Sequence, residues 1–196
     1  MAEKLRLFVS ATSDLESSRA VIGRAVAELP VQIGVEIRRT PVQGAAYDDI
    51  FELIANVDRA YFLLGGDITA PAGTEWYLGW KLERSIMPMV GVMRRTPAAQ
   101  EFIRNFPGEW TRFRSHAELV RLVTFDLVRI LNNPTNRYGL TLNDLELLNL
   151  HTTRMRKQTP DVLVEPGGAE GGGVLLDTVH GDEFGDQFDD ELLVSD

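Results

Sequence analysis

The run Arg59-Ala60-Tyr61-Phe62-Leu63-Leu64-Gly65 is the strongest constraint on how this chain folds. Its centre is apolar at consecutive positions, not at alternate ones. A strand with one face in water alternates, whereas a strand covered on both faces does not. Leu5-Arg6-Leu7-Phe8-Val9-Ser10 has nearly the same character. Two such strands need helices above and below them, which calls for a parallel sheet in an α/β arrangement.

The rest of the chain alternates in the same sense. A helix is expected over residues 14–29, with Val21, Ile22, Ala25, Val26 and Leu29 on one face. Strands are expected over 33–37, 59–64 and 86–93, and an edge strand over 110–113. Helices are expected over 47–57, 74–84, 97–105 and 115–131. The fold expected is a flavodoxin-like parallel sheet of four or five strands, with the first strand central and helices on both faces. Asn132-Asn133-Pro134-Thr135-Asn136 interrupts the pattern. The α/β domain is therefore placed at 1–132 and a helical extension at 133–165, its helix running from about Thr141 to about Lys157. That helix either packs back on the sheet or receives a partner.

Charge separates a third segment. The net charge is −9, but from Glu165 onward there are ten acidic residues and no Lys or Arg, so the remaining 19 acids face 20 bases. A nearly neutral domain carries an acidic tail over 166–196. The tail opens on Gly167-Gly168-Ala169-Glu170-Gly171-Gly172-Gly173, a flexible linker, and continues with Phe184, Phe188, Leu192 and Leu193 among acids. Disorder until bound is the expectation for such composition. A domain this neutral has no electrostatic footprint for nucleic acid. The apolar content of 44% is enough for a core, yet no segment reaches the roughly 18 apolar residues of a membrane span. With no cysteine and no signal peptide, the expected home is the cytoplasm. No metal is expected, since His116, His151 and His180 are scattered.

The chemistry-bearing residues sit where strands give way to helices. Gly73-Thr74-Glu75-Trp76-Tyr77-Leu78-Gly79-Trp80 reads as a helix start with Thr74 as N-cap, placing Glu75 in the first turn at the carboxyl edge of the sheet. A carboxylate there either acts on a sugar carbon or answers the helix dipole. Ser10-Ala11-Thr12-Ser13-Asp14 follows the first strand, with amides suited to a phosphate or sugar, or simply a capped strand-helix turn. Gly66 would bring backbone close to a ligand and Asp67 would take a ribose hydroxyl, or both are turn residues. Trp76, Tyr47 and Trp80 are candidates to stack on a base; Trp76 and Trp80, four apart, are equally core residues. Arg38-Arg39 is a solvated pair or a phosphate clamp.

Phe8-Val9-Ser10-Ala11-Thr12-Ser13-Asp14-Leu15, followed by Arg19, resembles the opening of a TIR-like domain-of-unknown-function group of bacterial conflict and signalling proteins. Its superfamily includes TIR domains and nucleoside deoxyribosyltransferases. The resemblance covers roughly residues 4–130. In those families one glutamate early in a helix works at an N-glycosidic carbon, and Glu75 stands at matching intervals from Gly79, Arg84, Ile86 and Pro88. A rival register would place Tyr77 there instead.

The resemblance implies a nucleotide-processing effector of bacterial defence or signalling that cleaves the N-glycosidic bond of NAD or a related nucleotide. Glu75 would be catalytic and Ser10, Thr12, Gly66, Asp67, Trp76 and Tyr47 would contact the substrate. NAD would be a substrate and no cofactor would be required. Trp80, where the family has small residues, and the lack of a second carboxylate depart from the pattern. Self-assembly is implied too, since TIR-type domains commonly need it to become active. The alternative is a non-catalytic nucleotide-sensing or scaffold module that recruits a protein partner through the C-terminal helix and acidic tail.

Overall fold

The computed structural model describes residues 2–106 and 108–157. The tail expected over 166–196 and the end of the helical extension lie outside the described residues. A five-stranded parallel sheet is built from β1 (Leu5–Ala11), β2 (Val35–Arg38), β3 (Arg59–Leu64), β4 (Ile86–Gly91) and β5 (Thr111–Phe113). The strand order is β2-β1-β3-β4-β5. This is the flavodoxin-like α/β fold. β1 is interior and not at an edge, but the central position expected for it belongs to β3, with the three-residue β5 at one edge.

Two-residue periodicity sorts the core into two layers. Leu5, Leu7, Val9, Tyr61, Leu63 and Met89 face α1 (Glu16–Ala27) and α5 (His116–Leu131). Phe8, Phe62, Leu64 and Val90 face the opposite way, toward α2 (Tyr47–Ala55), α3 (Ala72–Lys81) and α4 (Pro97–Asn105). α5 buries Leu119, Val123, Leu127 and Leu131, an unbroken i, i+4 stripe. Pro88 is tolerated inside the sheet because β5 joins β4 only from Met89 onward.

Helix starts differ from expectation where tertiary contacts intervene. Residues 13–15 form a short 3₁₀ turn before α1 instead of its first α-helical turn. α3 begins at Ala72, with Pro71 in the N-cap position, so Thr74 is its third residue and not its cap. Proline already holds the backbone torsion that a helix start requires and needs no donor there. The correction leaves Glu75 in the first turn.

α6 (Leu142–Lys157) packs on α5, and its Leu148 is fully buried in the same core as β1 and α5. Tyr138 and Leu140 of the preceding segment join that core. Arg137 anchors the segment at the amino edge of the sheet, through a 2.7 Å ion pair with Asp58. Of the two expectations for this helix, the structure shows it packed back on the domain.

Candidate functional site

Strand order decides where a ligand cleft can open. β2 lies on one side of β1 and β3 on the other, so the loops leaving the carboxyl ends of β1 and β3 diverge. Ser10 is the last residue of β1 directed at the α3 layer, in phase with Phe8. On α3, Glu75 shares its face with Ala72, Leu78 and Gly79, all of them buried. The two periodicities meet: the Ser10 hydroxyl donates to Glu75 Oε2. Glu75 is 2% exposed, and its second oxygen, Oε1, has no hydrogen-bond partner. A buried carboxylate with one idle oxygen is energetically unfavourable, and such groups concentrate at functional sites. The void beside it, lined by Ser10, Glu75 and Trp76 among others, is about 10 Å³, room for one water at most.

Thr12 and Asp14 are tied to the loop after β3. Thr12 Oγ1 accepts from the Gly65 N–H at 2.9 Å and donates to Asp14 Oδ1 at 2.6 Å. Asp14 Oδ2 accepts from the Gly66 N–H at 2.6 Å. The amides that a phosphate could have used are thus occupied by side chains of the protein itself. Asp67 turns away from Ser10: its Oδ1 accepts from its neighbour Ile68 N–H at 2.9 Å and from the Thr96 hydroxyl at the start of α4. Ser10 and Glu75 therefore form one contact, Thr12 and Asp14 with the Gly65 and Gly66 amides a second, and Asp67 with Thr96 a third.

The aromatic candidates separate in the same way. Trp76 belongs to a cluster with Phe62, Phe102, Phe106 and Trp110, its ring centroid 4.9 Å from Phe62 and 4.4 Å from Phe106. Such spacing is edge-on and tilted aromatic packing. Tyr47 opens α2 and is about half exposed, while Trp80 is 58% exposed beside Trp76 and Phe102.

The open space at the carboxyl edge lies elsewhere. A recess of about 250 Å³ is walled by the loops after β1, β2 and β3, with Arg19, Glu16, Thr40 and Ala72 among its lining. Ala72 is one helical turn before Glu75, and Ala11, also in the wall, follows Ser10. Arg19 reaches back to the Ala11 carbonyl at 3.2 Å. Arg19 carries a sequence signal, since it closes the Ser-Ala-Thr-Ser-Asp-Leu motif. Thr40, 2% exposed and with Oγ1 unpartnered, carries none: a threonine before a proline in a loop looks like any turn. Among the described residues, no cluster of His, Asp and Glu could hold a metal ion, and no helix is long and apolar enough to cross a membrane.

Compared with models of known families and with curated proteins, the chain matches none.

Proposed function

We propose that this protein cleaves the N-glycosidic bond of NAD or a related nucleotide, with Glu75 as the catalytic carboxylate. The observation that carries the reading is the placement of Glu75. It sits in the first turn of α3 at the carboxyl edge of a parallel sheet, is held through one oxygen by Ser10, and has the other oxygen unpartnered. A structural carboxylate answering only the helix dipole has no need of burial, since water satisfies it at no cost.

In this reading the substrate enters through the recess over Ala11 and Ala72, the latter one helical turn before Glu75. The C1′–N bond breaks, with its electron pair leaving on the nicotinamide nitrogen. Glu75 Oε1 stabilises the positive charge that develops at C1′, and Ser10 acts as a positioning residue that orients the carboxylate. Water then adds its oxygen to C1′ and releases a proton.

The test is chromatographic measurement of NAD loss and nicotinamide release by the full chain, wild type beside Glu75→Gln. Wild type is expected to consume NAD, and the variant to be slower by two orders of magnitude or more, about the contribution of one positioned charged group. Equal rates for the two proteins overturn the catalytic role. The closed surroundings of Glu75, with a void of only about 10 Å³ beside it, favour a second reading, a non-catalytic nucleotide-sensing or scaffold module. Nucleotide binding with no NAD loss by wild type selects it.

A further inference from the structure

Two cradles for an anion face the carboxyl edge of the sheet, and their internal partners differ greatly in quality. The first is the pair of amides at Gly65 and Gly66. It is filled by Thr12 and Asp14, with bonds of 2.9 and 2.6 Å. The second is formed by Arg19 and Arg39. Between them lies only the Glu16 carboxylate, 3.4 Å from Arg19 Nε and 3.3 Å from Arg39 Nη1. The Glu16 side chain is 48% exposed, and ion pairs of that length and exposure hold weakly. Arg19 is the opposite case: its side chain is 12% exposed, and Nε makes no hydrogen bond. Thr40 stands in the same recess, almost wholly buried, with its hydroxyl idle. Two arginines therefore share one loosely held carboxylate, and an unused hydroxyl belongs to a residue that lines the same recess.

We infer that the recess walled by Arg19, Glu16 and Thr40 binds the phosphate of a nucleotide, with Glu16 occupying the anion's place until the ligand displaces it. The inference rests on the nucleotide reading of this edge and sharpens it: the ligand is a phosphorylated nucleotide and not a nucleoside. Three features agree. The free groups are donors, and the forked guanidinium matches phosphate oxygens. The amide cradle at Gly65 and Gly66 is closed to phosphate, which leaves the arginine end as the only one of the two that an anion can enter without breaking short hydrogen bonds. At about 250 Å³ the recess is smaller than the pockets that take whole drug-sized ligands, so it suits one moiety of a nucleotide while the rest extends toward α3. A buried hydroxyl without a partner also weakens the unliganded fold, and a ligand oxygen would relieve it.

Isothermal titration of the full chain, as wild type and as Glu75→Gln, provides the test, with ADP, adenosine and inorganic pyrophosphate as probes. Pyrophosphate is expected to bind, and ADP to bind about tenfold or more tightly than adenosine, the worth of one charge-assisted hydrogen bond. Arg39→Gln should weaken ADP by about tenfold and leave adenosine unchanged. Thr40→Val, which keeps the shape and removes the hydroxyl, should weaken ADP while melting no lower than its parent. Equal binding of ADP and adenosine, absence of binding by both, or a lower melting temperature for Thr40→Val overturns the inference. The two readings fail separately. NAD loss that depends on Glu75 without any ADP preference removes only the phosphate site. An ADP preference lost in Arg39→Gln, with no NAD loss, removes only the catalytic one.

Discussion

Asp14 accepts the Gly66 N–H and lies where a β-carbon on Gly65 would have to stand. One carboxylate thus bolts the loop after β1 to the loop after β3, and any side chain at 65 must push it aside. Gly65→Ala is expected to lower stability by about 0.5–1.5 kcal/mol, the worth of the hydrogen bond that the displaced Asp14 carboxylate gives up. Asp14→Ala should cost a similar amount, since water can reach the Gly66 amide once the carboxylate is gone. Thermal unfolding checks both, and an unchanged melting temperature for Gly65→Ala contradicts the contact.

Arg59 and Asp126 form a buried bidentate ion pair, with two bonds of 2.7 Å, that joins β3 to α5. Arg129 reaches the same carboxylate at 2.7 Å from a largely exposed position. Removing one member of a buried pair strands the other charge. Asp126→Ala is therefore expected to cost about 3–5 kcal/mol, while Arg129→Ala should cost less than about 1 kcal/mol. Denaturant titration of the two variants side by side gives the comparison.

Tyr61, on the same face as that pair, has its phenol held well above the usual range, by burial first and by the nearby Asp126 charge second. A raised folded value means that the unfolded chain loses this proton first. The stabilisation from keeping Tyr61 neutral is complete below about pH 10 and falls as pH rises beyond it. Ultraviolet titration should show one of the four tyrosines failing to ionise while the protein stays folded. Tyr61→Phe should flatten that part of the alkaline stability curve.

α6 is held by a polar start and an apolar anchor. Thr141 and Asp144 cap it reciprocally: Asp144 Oδ2 accepts from the Thr141 N–H at 2.9 Å, and Thr141 Oγ1 accepts from the Asp144 N–H at 3.2 Å. The Thr141 hydroxyl, then its amide, pull the Asp144 carboxyl below its usual range. Its support for the helix is present above about pH 4 and fades as pH falls through that lower folded value. Leu148→Ala should cost about 2–5 kcal/mol, whereas loss of the cap at low pH frays only the first turn. Amide exchange of residues 142–146 distinguishes the two effects.

Trp76 and Trp80 sit four residues apart yet should respond very differently to truncation. Trp76→Ala opens the aromatic cluster with Phe62 and Trp110 and is expected to cost about 3 kcal/mol. Trp80→Ala removes an exposed ring and should stay within about 0.5 kcal/mol. Equal losses would mean that Trp80 is covered in solution.

The sequence by itself determined the layer architecture. Ala60 to Leu64 is apolar at every position, and nothing but helices on both faces can cover such a strand. Element order followed because hydrophobic periodicity is local, and the expected span of β3, residues 59–64, is the one observed. The helix expected over 74–84 already placed Glu75 in a first turn at the carboxyl edge of the sheet. Only the tertiary structure decided what meets it there. Ser10 lies 65 residues away in the chain and touches Glu75 because the strand order sets β1 beside β3. The same holds for Asp14 on the Gly66 amide and for the idle hydroxyl of Thr40, whose partners, present or missing, belong to other loops. Periodicity records which way a side chain points along its own element. It carries no record of which distant donor or acceptor that side chain will find, and hydrogen bonding between distant loops is what builds this edge of the sheet.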